Sequence, residues 1–157
     1  MIFEQGVYRL DVDVERTRAF YEAQPKGTGC DCAGCRNFAT LGETIPEQIA
    51  SFLRQFGLDP AKPAEMSAVY APDRSSVFYD GWYHICGRIL EGTDPMEQVG
   101  PKQWKTKEEY FLPLDGNGGT ALFEAKRDLL PSGFPEPVIQ VNVMCVLPWV
   151  LDEENPY

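Results

Sequence analysis

Three thiols lie within six residues, in the run Gly29-Cys30-Asp31-Cys32-Ala33-Gly34-Cys35-Arg36. Thiolates ligate soft and borderline metal ions, and the spacing suits such an ion. In an extended segment, residues two apart point to the same side, so Cys30 and Cys32 can converge. Cys32 and Cys35 have the two-residue separation of a zinc knuckle. Gly34 is expected to take a positive φ and turn backbone amides towards the Cys32 sulfur. Cys35 is expected in the first turn of a helix, where amides and the helix dipole stabilise a thiolate. A closed structural zinc site needs a fourth donor. Cys86 and His84 stand two apart in a strand-like segment and share one of its faces. Cys86 ranks first and His84 second. Asp31 is expected to point away from the loop, and Cys145 falls on an apolar strand pattern and reads as a packed core thiol. The expected zinc ligands are therefore Cys30, Cys32, Cys35 and Cys86, with His84 as the alternative fourth. Such a site joins loop to sheet and staples the two halves of the chain.

Other chemistries compete for the same residues. The three thiols can be free, or Cys32 and Cys35 can cycle as a redox couple at a helix N-terminus. No parallel βαβ pattern surrounds that pair, and the spacing matches neither of the common ferredoxin runs. His84 is the only histidine, so any Cys-His or Ser-His pair must use it. In a strand rich in Trp and Tyr it reads as a hydrogen-bonded core residue. Asp11 and Asp13 share a strand face with Glu15 next in line, which suits Mg²⁺ or acid–base work. They read more simply as a solvated edge, with Asp13 capping the following helix. Asp115-Gly116-Asn117-Gly118-Gly119 has the look of half a calcium loop, but Glu124 comes too early to close it, so it reads as a turn. Phosphate-binding Gly loops and the G-x-S-x-G elbow are absent from the sequence. These patterns point away from an enzyme.

The elements that must position these residues follow from periodicity. Tyr8, Leu10, Val12 and Val14 alternate with Arg9, Asp11 and Asp13, as in a half-buried strand. A helix is expected from Glu15 to Ala23, and Pro25, Gly27 and Gly29 then break the chain ahead of the cysteines. Helical pattern resumes through Phe38 and Leu41. A further helix is expected behind Thr44, with Pro46 in its first turn and Ile45, Ile49, Phe52, Leu53 and Phe56 as its buried stripe. The remainder reads as strands: 68–70, a long one over 77–90, 109–114, 120–127 and 138–147. Residues 92–106 and 131–137 read as loops. The expected fold class is α+β over a single domain, 1–157: a mainly antiparallel sheet from the C-terminal two-thirds, packed with two or three N-terminal helices.

Composition bounds the function class. The 157 residues are 43% hydrophobic and 12% aromatic, enough for a core. Asp and Glu number 24 against 14 Lys and Arg, a net charge of −10. Lys102, Lys105 and Lys107 are the nearest thing to a basic cluster and sit beside Glu108 and Glu109, so nucleic-acid binding is not expected. A basic protein is the expected partner class, as for an acidic immunity-type module. The opening MIFEQGVYRL carries no secretory pattern, and no segment has the length of a membrane span. The expected location is the cytoplasm, where thiols stay reduced, and five cysteines, an odd number, disfavour a disulfide framework.

Three segments carry a resemblance: the opening from Leu10 to Tyr21, Cys30 to Phe38 with its C-x-C-x-x-C-R-N-F pattern, and Leu147 to Glu153 reading LPWVLDE. Together they resemble a group of small bacterial proteins of uncharacterised function that share these three motifs. The resemblance implies that the cysteine loop is a recurring design. It implies no activity and no catalytic residue.

Overall fold

A computed structural model describes the backbone of all 157 residues and every side chain but that of Glu43. The chain opens with β1 (Ile2–Gln5) and β2 (Tyr8–Val12), an antiparallel hairpin turning at Gly6, whose φ is +57°. Three helices follow: α1 (Val14–Glu22), α2 (Ala33–Leu41) and α3 (Glu47–Arg54). The rest is strand: β3 (Glu65–Tyr70), β4 (Ser76–Glu91), β5 (Met96–Gly100), β6 (Gln103–Thr106), β7 (Leu112–Pro113), β8 (Thr120–Glu124) and β9 (Val138–Pro148). The main sheet runs β1-β2-β4-β9-β8-β7, with β3 also paired to β4, and every pairing in it is antiparallel. This is the expected α+β architecture, with one strand pair already ahead of the helices. Among the described residues, no helix is long and apolar enough to cross a membrane.

β4 is the spine. Along one edge β9 matches it from Ser76↔Pro148 to Cys86↔Val138. Along the other edge β3 covers Phe78 to Trp82 and β2 covers Gly87 to Glu91, which leaves a strandless gap between them. Helix α1 fills that gap with side chains. The Tyr21 hydroxyl accepts from the His84 N–H and donates to the His84 carbonyl, both at 3.0 Å. Thr17 Oγ1 accepts from the Cys86 N–H at 3.0 Å, and the Asp13 N–H donates to the Cys86 carbonyl at 2.8 Å. Backbone groups that would otherwise be orphaned in the interior are thereby satisfied. Asp13 is the N-cap of α1, as expected, accepting from the Arg16 N–H.

Strand alternation sorts β4 into two faces. Val77, Tyr79, Tyr83 and Ile85 point to the face covered by α2 and α3, where Phe38, Leu41, Ile49, Leu53 and Phe56 complete the core. Phe56, Phe123 and Tyr8 meet there edge to face. The expected β9 stripe of Ile139, Val141, Val143, Cys145 and Leu147 is buried throughout. The other face of β4, carrying Trp82, His84 and Cys86, lies under the segment 125–137. The Trp82 indole donates to the Asp128 carbonyl, Phe134 packs on the His84 ring, and the Cys86 thiol donates to the Glu136 carbonyl.

Three expectations shift. Residues 92–106 hold a two-stranded hairpin, β5–β6, rather than a loop; its polar sequence has little to bury, and it pairs with itself apart from the main sheet. The expected strand 109–114 shrinks to the two residues of β7 behind a short 3₁₀ turn at Glu108–Tyr110. Helix α3 starts at Glu47 with Pro46 as its N-cap residue, so Pro46 precedes the first turn rather than lying in it.

Candidate metal centre

The cysteine loop ends where α2 begins, and the sulfurs of Cys30, Cys32 and Cys35 all lie within 4.8 Å of one another. None of the five cysteines is in a disulfide. Local backbone brings the three together. Gly27 and Gly29 both take positive φ, +77° and +76°, which lets the loop turn back on itself ahead of Cys30. The Cys32 N–H then donates to Cys30 Sγ at 3.5 Å. Cys32 is the N-cap of α2, and its sulfur accepts from the Cys35 N–H at 3.5 Å. Thr28 Oγ1 donates to Cys35 Sγ at 3.4 Å. Each sulfur thus accepts one hydrogen bond from the chain. Cys30 and Cys32 are exposed, and Cys35 is partly covered with its sulfur 4.0 Å from the Met66 carbonyl on β3.

The electrostatics divide the pair unequally. The Cys35 N–H, at the open end of α2, brings the Cys32 thiol down to about 7. Burial pushes Cys35 up to about 12. The thiolate favoured by the helix is therefore Cys32, not Cys35 as the sequence spacing suggested: the capping position, one residue before the helix, receives the free amide. Gly34 also has a different role from the one expected. It is helical, outside the positive-φ set, and a Cβ there would come within 2.5 Å of Ala68 Cβ and 2.8 Å of the Tyr157 hydroxyl. Glycine is needed for close approach, not for a turn.

The residues that hold α2 in place were not singled out by sequence. The Gly34 N–H donates to Tyr157 Oη at 2.9 Å, and the Tyr79 hydroxyl donates to the Gly34 carbonyl at 2.7 Å. Asn37, wholly buried, donates to Tyr79 Oη and to the Pro148 carbonyl and accepts from the Val150 N–H. Asn37 offered one signal in advance: asparagine disfavours helix interiors, so one in a helical run beside aromatics marks a polar bridge.

The expected fourth ligands sit elsewhere. Among the described residues, the metal-capable group closes on Cys30, Cys32 and Cys35 alone. Cys86 is buried against Glu136 on the far face of β4. The loop approaches β4 through Met66, which pairs with Gly81, five residues from Cys86 and hence about 16 Å along the strand. His84 lies under Phe134 on that same far face. The two do share a face, as their spacing implies, but it is the face turned from α2. The cluster is therefore local to one loop and helix end. His84 is buried as a core residue, yet only its backbone is bonded: neither ring nitrogen has a partner among the described residues. Burial lowers its pKa to about 4, with Gln140 and Asp128 opposing weakly from outside hydrogen-bond geometry.

Of the other candidates, Asp11 pairs with the Met1 amino group and Asp13 is spent on its cap. Asp115 folds its own turn by accepting from the Asn117 and Gly119 N–H groups. Lys105 and Lys107 pair with Glu97 and Asp94, so the lysine group is not a free basic patch. Three surface-proximal sulfurs can hold a metal ion, and no other group of three such donors among the described residues does so. Comparison with known proteins finds no family model, no curated protein and no solved structure that matches the chain.

Proposed function

We propose that the protein is a zinc-binding domain whose metal is held by Cys30, Cys32 and Cys35. The convergence of three sulfurs within 4.8 Å carries this reading. An all-thiolate set selects zinc or another thiophilic ion over magnesium or calcium, which want oxygen. The high pKa of Cys35 belongs to the metal-free loop, because a coordinating dication deprotonates a thiol outright. Purified protein is expected to hold about one zinc per chain. Elemental analysis paired with thiol titration tests it: metal loading should mask the three loop thiols and chelation should release them. Protein that takes up no stoichiometric metal, with all three loop thiols reacting freely in the presence of zinc, overturns the reading.

A second reading rests on the geometry at the start of α2: exposed Cys32 accepts the Cys35 N–H, which brings its thiol down to about 7, while Cys35 is partly covered and burial holds it up at about 12. An exposed low-pKa thiol beside a covered one is the arrangement of an attacking and a resolving cysteine. Cys32 thiolate would attack a substrate disulfide to form a mixed disulfide. Cys35 would then displace it, leaving a Cys32–Cys35 disulfide and a substrate reduced by two electrons and two protons. Disulfide reductase activity that survives Cys30→Ser but not Cys32→Ser favours this reading; absence of activity in the metal-free reduced protein removes it.

A further inference from the structure

The zinc reading leaves a donor count to settle. Tetrahedral zinc takes four ligands, and the chain brings three sulfurs together. His84 and Cys86 are turned to the opposite face of β4, and Cys145 is buried within the core. Cys30 and Cys32 are exposed, so an outside molecule can reach the cluster.

We propose that the metal at this cluster takes its fourth donor from another molecule, and that this donor is a neutral nitrogen of the imidazole class rather than a thiolate. The inference rests on the zinc reading and deepens it. Charge decides between imidazole and thiolate. Zinc and three thiolates already carry one net negative charge, in a chain whose own net charge is −10. Each of the three sulfurs accepts one hydrogen bond from the chain, from the Cys32 N–H, the Cys35 N–H and the Thr28 hydroxyl. These donors offset the charge of the sulfurs already present. An incoming thiolate would add a second net negative charge with no such donor waiting for it. A neutral imidazole binds without adding charge and, near pH 7, without giving up a proton. The donor does not come from a second copy of this chain, because its only histidine is wholly buried.

Cobalt(II) substitution into the full chain tests this, because sulfur-to-cobalt charge-transfer bands count thiolates and the ligand-field bands report the fourth donor. The cobalt form is titrated at pH 7 with imidazole, with a capped Gly-His-Gly peptide and with 2-mercaptoethanol. The expected result is a three-thiolate spectrum whose ligand-field bands shift with imidazole and with the peptide, at least about tenfold more tightly than with the thiol. A peptide that binds more tightly than free imidazole assigns the donor to a histidine of another protein, and equal binding assigns it to a small molecule. Cys86→Ala is expected to leave the spectrum unchanged. Bands that no added ligand shifts show a donor from within the chain or a water that is not displaced, and a spectrum altered by Cys86→Ala shows a donor from within the chain; either result overturns the inference while leaving the metal site standing. Tighter binding of 2-mercaptoethanol than of imidazole overturns the charge argument. Absence of charge-transfer bands altogether is the distinct failure of the zinc reading itself.

Discussion

At the scale of single residues, the contrast between Cys32 and Cys35 is a consequence of one backbone amide. Cys32 caps α2 and receives the Cys35 N–H; Cys35 lies one turn in and is half covered. In metal-free protein, the rate of alkylation at Cys32 should rise to half its maximum near pH 7, with Cys35 unreactive well above that, and mass spectrometry of modified peptides checks both. Zinc should suppress both reactions. A midpoint near that of a free thiol would show that the cap does not form in solution. His84 has the opposite character, a base denied its proton by burial. The unfolded chain protonates it below its ordinary 6.5, whereas the folded chain does so only near 4. Between those values the unfolded state binds more protons, so its contribution is complete above pH 6.5 and is lost as pH falls towards 4. The loss is about 3 kcal/mol at most, and His84→Gln should remove it; denaturant melts at pH 7 and pH 4.5 measure both. The three cysteines were legible in sequence because their spacing is local. Their rank order was not, since it depends on which residue caps the helix.

At the scale of elements, α1 and α2 act through side-chain hydrogen bonds to backbone. The gap in β4 between its two partner strands is closed by Tyr21 and Thr17. Tyr21→Phe should cost about 1–3 kcal/mol, because the buried His84 N–H and carbonyl lose their shared partner. Equilibrium unfolding measures this, and hydrogen exchange should quicken first at His84 and Cys86. A melting temperature equal to that of the parent protein would show that water replaces the phenol. For α2, the tight contact is Gly34 against Ala68 and Tyr157. Gly34→Ala should cost about 1–3 kcal/mol by overpacking and lower metal affinity as the helix end lifts from β3. Tyr157→Phe, which loses only one hydrogen bond at that point, should cost about 1 kcal/mol. The helices themselves were readable from the Asp13 cap, the Gly and Pro breaks and the apolar stripe of α3. The β5–β6 hairpin was not, because a strand pair with no buried face has no alternation to detect.

At the scale of the molecule, the core and the cysteine cluster are separate structures. The buried set runs through β2, β4, β8, β9 and the inner faces of α2 and α3, while two of the three clustered cysteines are exposed at the surface. Chelation should therefore leave far-UV circular dichroism and cooperative unfolding intact, with only a modest fall in melting temperature. In contrast, Phe123→Ala in the core should cost about 3–5 kcal/mol. Loss of the fold on metal removal would mean that the loop staples more than its own helix. Sequence alone determined the α+β class, the buried stripes of β2, α3 and β9, the cap at Asp13 and the convergence of Cys30, Cys32 and Cys35. All of these depend on neighbours a few residues apart, where periodicity and backbone geometry suffice. Only tertiary structure decided that His84 and Cys86 face away from the cluster. Their spacing places them on one side of β4, but the side occupied by α2 depends on how the helices pack across the whole sheet. The same packing brings Tyr157 and Ala68 onto Gly34, from 123 and 34 residues away in sequence. The three sulfurs are thus a local product of the chain, and the missing fourth donor is a product of the fold.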